Sequence, residues 1–296
     1  MNIFQKMMYV ILSIAVACAI GVANYIYLPA GERIPEDKHT SDYLETYYST
    51  NDTVLKQLFP YEEVNYALTV PSNMSYTTAD FQRFEGTYLT EREPVDRSYL
   101  HHICFCGDSI TYHMTLKNRC LVDCDVLAWG GLMVSDFAKY VENPVYNHSS
   151  EKKTSIYWIE YLKPEIIYIM LGTNGITLIN NERHIEQYRT LLDKIAAASP
   201  TSIIVLCSAP PWALEAYGNY TNSDIGTLNQ KINHFNMYLL ELAKERGYYY
   251  LNVAETLQDE LGNLKSSYTN GDGIHWSNAA RDAYEAYVLS HPIPGF

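Results

Sequence analysis

The feature that most constrains the fold is an alternation of short apolar runs and helical periods, which begins near residue 98 and continues to the C-terminus. Each run has the length of a buried strand, and the segments between runs repeat apolar residues at helical spacing. Strands that alternate with helices form βαβ units and a parallel sheet covered on both faces. We therefore predict a three-layer α/β/α domain with a mostly parallel central sheet. The predicted strands are Ile103–Cys106, Val126–Trp129, Ile166–Leu171, Ile203–Cys207 and Tyr248–Val253.

The N-terminal segment from Met7 to Leu28 is nearly all apolar, follows Lys6 and precedes Pro29. About 20 such residues span a bilayer as a helix, and a positive N-terminal flank favours that end staying inside. An uncleaved anchor, a signal peptide cut near 21–23 and a lipid attachment at Cys18 are the alternatives. All three predict that the rest of the chain lies outside the cytoplasm.

Residues 29–97 form a polar, Tyr-rich stretch with several prolines and no long period. The stretch is interpreted as a spacer or an extra layer on the main domain. The predicted organisation is therefore a transmembrane anchor or signal peptide at 1–28, this stretch at 29–97 and the α/β domain at 98–296.

The charge and the cysteine positions limit which ligands and cofactors the chain is expected to bind. The chain has 21 basic and 34 acidic residues, a net charge of −13, which argues against nucleic acid as a ligand. A zinc site built from Cys104, Cys106, Cys120 and Cys124 is an alternative, but two of these lie inside a predicted strand. Buried free thiols or one disulfide are favoured, and we expect no metal and no cofactor.

Polar and glycine residues follow the predicted strands, where ligands bind in such sheets. Ser109 follows the first strand, Gly130 and Gly131 follow the second, and Asn174 follows the third. Asp272 and His275 lie beyond the fifth strand, in the segment "NGDGIHWS".

These residues supply the parts of a serine esterase. Serine becomes a nucleophile when a histidine takes its proton, and a carboxylate must orient that histidine. Ser109, His275 and Asp272 are the candidates for those roles. The N–H of Ser109, the N–H of Gly131 and the amide of Asn174 are candidate donors to the oxyanion. Asp108 is expected to brace the turn, and His101, His102 and His113 are given no site role.

The pieces "GDSIT", "WGGLMV", "LGTNG" and "DGIHWS" resemble the SGNH hydrolases, the GDSL-like esterase family. The resemblance runs from about Leu100 to His291 and assigns the family's four letters to Ser109, Gly131, Asn174 and His275. It implies an SGNH, flavodoxin-like fold and an ester hydrolase. Many relatives carry Asp after the "GTN" asparagine, where this chain has Gly175.

Three of the four tryptophans, Trp129, Trp212 and Trp276, lie at the same predicted sheet edge. Tryptophan faces suit sugar rings, although each could instead pack beneath the loops. With an extracytoplasmic location, they favour removal of O-acyl groups, in particular O-acetyl, from a carbohydrate or related ester. An O-acyltransferase acting on cell-surface glycan and a noncatalytic, anchored glycan-binding module are the alternatives.

Overall fold

Five short apolar runs form the strands of a single parallel sheet. Their residues are buried, as expected for a parallel sheet that is covered on both faces. The computed structural model describes residues 68–116 and 118–296, which fall in one unit, Tyr66–Phe296. The strand order is β2-β1-β3-β4-β5, and every pairing is parallel. The strands are β1 Ile103–Gly107, β2 Asp125–Ala128, β3 Ile166–Met170, β4 Ile203–Cys207 and β5 Tyr249–Leu251. The predicted α/β fold is confirmed, with an all-parallel sheet.

Helices flank the sheet, and all of them except Val134–Phe137 and Val253–Leu257 begin at a side-chain cap. The helices are α1 Thr78–Gln82, α2 Ser109–His113, α3 Val134–Phe137, α4 Ser155–Leu162, α5 Asn181–Ala198, α6 Ile225–Arg246, α7 Val253–Leu257 and α8 Asn278–Ser290. Helix α5 packs against α3, α4 and α6, whereas α8 packs against α7. Ser277 caps α8, because its side chain accepts the N–H of Ala280.

The described part of the N-terminal stretch contributes to the core. Phe81 and Phe84 are fully buried. The N–H of Leu89 donates to the carbonyl of Tyr250 at 2.9 Å, and the N–H of Tyr250 donates to the carbonyl of Thr87 at 2.8 Å. Residues 87–89 therefore pair with the outer edge of β5 and cover backbone groups that an edge strand would otherwise expose.

The predicted membrane segment and residues 29–67 lie outside the described residues. Within the ranges 68–116 and 118–296, no helix combines the length and the apolar character needed to cross a membrane.

The five cysteines of the described chain are all buried free thiols: Cys104, Cys106, Cys120, Cys124 and Cys207. Metal-ligating atoms of His101, Asp123 and Cys124 lie within 4.8 Å of one another. Both carboxylate oxygens of Asp123 already accept hydrogen bonds from Arg97 at 2.9 Å. Asp123 is therefore paired with Arg97, and Cys124 is buried beside them.

Phe81→Ala tests whether residues 68–97 are part of the folded domain. Removing a fully buried phenyl ring leaves a cavity, and we expect the free energy of unfolding to fall by about 3–5 kcal/mol. Urea denaturation measures the loss. The control is Leu261→Ala, since Leu261 is 82% exposed and its truncation is expected to change stability by less than about 0.5 kcal/mol. Equal values for the two variants would contradict the packing role.

Candidate active site

The predicted site residues meet at the carboxyl edge of the sheet. Asp108 and Ser109 directly follow β1, residues 129–132 follow β2, and residues 171–175 follow β3. The loop that carries Asp272 and His275 precedes α8 and reaches the same edge, since His275 contacts Ser109. Parallel strands carry their C-terminal loops to one side, which accounts for this convergence.

Close packing and a side-chain cap shape the turn before Ser109. A Cβ at Gly107 would lie 2.0 Å from Oγ1 of Thr111, so only glycine lets α2 start this close to β1. Asp108 caps α2, because its Oδ1 accepts the N–H of Ile110 at 3.0 Å. Ser109 is consequently the first residue of the helix, and its hydroxyl lies at the sheet edge.

A continuous hydrogen-bond chain joins Ser109, His275 and Asp272. Nε2 of His275 lies 2.9 Å from Oγ of Ser109. Nδ1 of the same ring lies 2.7 Å from Oδ2 of Asp272. A histidine held between a carboxylate and a hydroxyl can accept the hydroxyl proton at Nε2 while the carboxylate stabilises the resulting imidazolium. The structure thus brings together the three residues predicted for proton transfer.

The Asp272 carboxylate is fixed by its own turn. Its Oδ1 accepts the N–H groups of Ile274 and His275, both at 2.9 Å. Burial raises the pKa of this carboxyl, but these hydrogen bonds and the one from the His275 ring outweigh burial and hold the pKa below its usual range. Asp272 is therefore ionised at neutral pH.

Asp108 has the opposite electrostatic environment. Burial raises the pKa of its carboxyl to about 7, although the Ile110 N–H and the charge of His275 act against the increase. Its Oδ2 lies 3.4 Å from Nδ2 of Asn174, a long contact. The expected bracing contact is present, in the cap that Asp108 gives to α2.

Two of the candidate oxyanion donors, Gly131 and Asn174, lie on loops that contact each other. Nδ2 of Asn174 donates to the carbonyl of Leu132 at 2.9 Å, which joins the loop after β3 to the loop after β2. Gly131, directly before Leu132, has φ of +74° and open space where a Cβ would be. Gly130 has no positive φ, so Gly131 is the residue of this pair that needs to be glycine. The donor roles of Ser109, Gly131 and Asn174 remain predictions.

His184 explains the glycine that follows Asn174. A Cβ at Gly175 would lie 2.8 Å from the His184 ring, which is fully buried and stacks on Phe235 at 4.4 Å. A Cβ at Gly172 would meet the Phe235 ring at 2.7 Å. The two stacked rings therefore pack directly against the turn that carries Asn174. The Asp that is common in the family at position 175 would not fit against the His184 ring.

Two residues that lie near the predicted base, His113 and Tyr220, belong to none of the motifs found in the sequence. The ring of His113 lies 4.8 Å from that of His275, and Tyr220 donates its hydroxyl to Oδ2 of Asp272 at 3.3 Å. Burial, the charge of His275 and that of Arg119 lower the pKa of His113, which is thus neutral near pH 7. His113 follows Ser109 by four residues, one helical turn, and that spacing is the only sequence signal for its placement.

The three candidate tryptophans differ in exposure. Trp276 is 1% exposed and packs against Tyr284, and Trp212 is 4% exposed. Neither presents a ring face to solvent, so the structure does not favour the sugar-binding role predicted for these two. Trp129 is partly exposed and packs against Tyr112 at 5.0 Å between ring centres. The role remains a proposal for Trp129 alone.

A sequence model of the GDSL-like Lipase/Acylhydrolase family matches residues 105–283, which is more than half of the chain. The chain belongs to this family. It is an ester hydrolase, and the alternative of a noncatalytic binding module is set aside. No curated protein matches the chain at a significant level.

The chain is similar to several solved structures. A protein from Streptococcus pneumonia, proposed to be a platelet activating factor, has 19% identity and a TM-score of 0.50, with 84% of this chain and 95% of that chain covered. A GDSL-like lipase from Bacteroides thetaiotaomicron has 18% identity, a TM-score of 0.47 and coverages of 67% and 89%. A carbohydrate esterase family 3 protein from Talaromyces cellulolyticus has 16% identity, a TM-score of 0.41 and coverages of 63% and 93%. At 19% identity, the similarity to the Streptococcus pneumonia protein shows a shared fold alone.

Gly273→Ala tests whether the Asp272–His275 turn must be seated against residue 216. A Cβ at Gly273 would lie 2.0 Å from the backbone nitrogen of Ala216, so the turn has to move. We expect kcat/KM for a small acetate ester to fall by about 100-fold, because small displacements of catalytic groups are costly. The matched control is Gly271→Ala, which also has a positive φ but open space around its Cβ. Similar losses in both variants would contradict the role of this contact.

Proposed function

We propose that the hydrolase removes O-acyl groups, in particular O-acetyl, from an extracellular carbohydrate or related ester through an acyl-enzyme on Ser109. The observation that carries this proposal is the unbroken chain from Asp272 through His275 to Ser109, at 2.7 and 2.9 Å. These distances lie within the hydrogen-bond range that a nucleophile and its base require.

In the proposed first half-reaction, Oγ of Ser109 attacks the ester carbonyl carbon while Nε2 of His275 takes the hydroxyl proton. The carbonyl oxygen becomes an oxyanion, which the N–H groups of Ser109 and Gly131 and the amide of Asn174 stabilise. The tetrahedral species then collapses. The bond to the alcohol oxygen breaks, and the alcohol leaves with the proton from His275.

The second half-reaction uses the same groups on water. His275 takes a proton from water, the hydroxide attacks the acyl carbon, and the bond to Ser109 breaks as the proton returns to Oγ. The products are the free carboxylic acid and the regenerated serine. Asp272 stays ionised throughout and stabilises the imidazolium in both halves, in agreement with the lowered pKa of its carboxyl.

Aromatic rings beside the site support a carbohydrate as the alcohol part. Trp129 is partly exposed, and Tyr220 is 49% exposed with its ring centre 6.2 Å from that of His275. Rings of this kind offer apolar faces together with a polar group, which suits sugar surfaces. The net charge of −13 disfavours a strongly anionic polymer. The apolar segment Met7–Leu28 supports placing the substrate outside the cytoplasm.

Ser109→Ala tests the nucleophile. We expect the variant to lose at least about 1,000-fold in kcat for p-nitrophenyl acetate, because no other group forms the acyl-enzyme. A fluorophosphonate probe is expected to label the wild-type protein and Ser223→Ala, an exposed serine control, but not Ser109→Ala. Labelling or full hydrolysis by a folded Ser109→Ala protein would refute the assignment.

Trp129→Ala tests the carbohydrate. Loss of a stacking ring is expected to lower kcat/KM for an acetylated oligosaccharide by about 2- to 10-fold more than for p-nitrophenyl acetate. Release of acetate measures both reactions. Tyr161→Ala is the control, because this tyrosine is 69% exposed and lies on α4, outside the strand-end loops. An equal loss on the two substrates would argue against a sugar-binding Trp129.

A further inference from the structure

We propose that Tyr220 is a positioning residue that holds the Asp272 carboxylate in the orientation His275 needs. The inference deepens the proposed function and rests on it, since it concerns the same proton-transfer chain. Tyr220 lies on the loop after β4, far from Asp272 in sequence and outside the family's motifs quoted above.

The hydroxyl of Tyr220 donates to Oδ2 of Asp272 at 3.3 Å, and the same oxygen lies 2.7 Å from Nδ1 of His275. The other oxygen, Oδ1, accepts two backbone N–H groups of the turn. The carboxylate thus has donors on both oxygens, and Tyr220 is the donor that comes from a different loop. Rotation of the carboxyl group about its Cβ–Cγ bond would break contacts on both sides.

The loop that carries Tyr220 is docked on the Asp272 turn. The N–H of Ala213 donates to the carbonyl of Gly273 at 2.8 Å, and the backbone of Ala216 leaves no room for a Cβ at Gly273. The carbonyl of Ala216 accepts the N–H of Tyr220 at 2.9 Å. The backbone of Tyr220 is therefore placed by the element that also seats Asp272.

The aromatic ring of Tyr220 lies beside the Asp272–His275 pair. The Asp272 side chain is 29% exposed and that of His275 is 16% exposed, so water can compete for Oδ2. The ring of Tyr220 lies edge-on to His275, with 6.2 Å between centres, and its other neighbour is the buried Trp212 at 6.5 Å. Tyr220 therefore supplies a protein donor to a carboxylate that is partly exposed to solvent.

The hydroxyl of Tyr220 also affects the charge of the Asp272 carboxylate. A donor to Oδ2 withdraws negative charge from the oxygen that stabilises the His275 imidazolium. Removing the donor leaves more negative charge on that oxygen, so the acid limb of the pH profile is expected to change together with the plateau. The other titratable groups that face His275 are Asp272, His113 on α2 and Asp108 after β1, and Arg119 faces His113.

The test is Tyr220→Phe in the full chain, with kcat and KM for p-nitrophenyl acetate measured from pH 4 to 9. We expect kcat/KM at its plateau to fall about three- to tenfold, mostly in kcat, because the carboxylate loses a contact that orients it toward His275; a loss of this size is the usual effect of one hydrogen bond. We also expect the acid limb of the profile to move to higher pH by several tenths of a unit. Tyr217→Phe is the matched control, since this tyrosine lies on the same loop, is 61% exposed and makes no side-chain hydrogen bond to a described residue.

An unchanged profile in Tyr220→Phe, or a lower kcat/KM with the acid limb in place, would overturn the proposal and leave Tyr220 as a packing residue. Tyr220→Ala separates the two contributions, because it removes the ring as well as the hydroxyl and is expected to lose more activity than the Phe variant with the same shift in pH. Failure of the proposed function has a different signature, namely hydrolysis or probe labelling that persists in Ser109→Ala.

Discussion

The in-register pairing of β1 with both of its neighbours decides where the functional side chains lie. Gly107 pairs with Ala128 of β2 on one side and with Met170 of β3 on the other. The residues that follow these three positions therefore leave the sheet at the same level. A slip of one residue in either pairing would turn the side chains to the other face and separate the loops that meet around Ser109.

Each loop is then held by contacts that tolerate little change. The start of α2 packs on Gly107, the Asn174 turn sits on the rings of His184 and Phe235, and the Asp272 turn packs on Ala216. In all three places a glycine accepts the close approach, and a bulky or backbone group supplies the surface beneath. The active-site geometry is thus set by packing below the loops as much as by the hydrogen bonds above them.

The sequence predicted the elements that repeat a pattern or stand at a strand end. The strands were located to within two residues, and Ser109, Asn174, Asp272 and His275 were expected at the sheet edge, where they lie. Other features depend on contacts between distant segments, for which no local pattern exists. The burial of Trp212 and Trp276 beneath the loops and the packing of Phe81 into the core are of this kind.

Two carboxyl groups near His275 show how environment divides their roles. Asp272 receives hydrogen bonds on both oxygens and keeps its charge, while burial raises the pKa of Asp108 to about 7. The distinction matters because Asp108 lies near Asn174, a candidate donor to the oxyanion. A second permanent negative charge there would oppose the charge that develops on the substrate oxygen. The apolar burial of Asp108 reduces that opposition at neutral pH and below, while the counter-ion of the imidazolium, on the far side of the ring, remains fully charged.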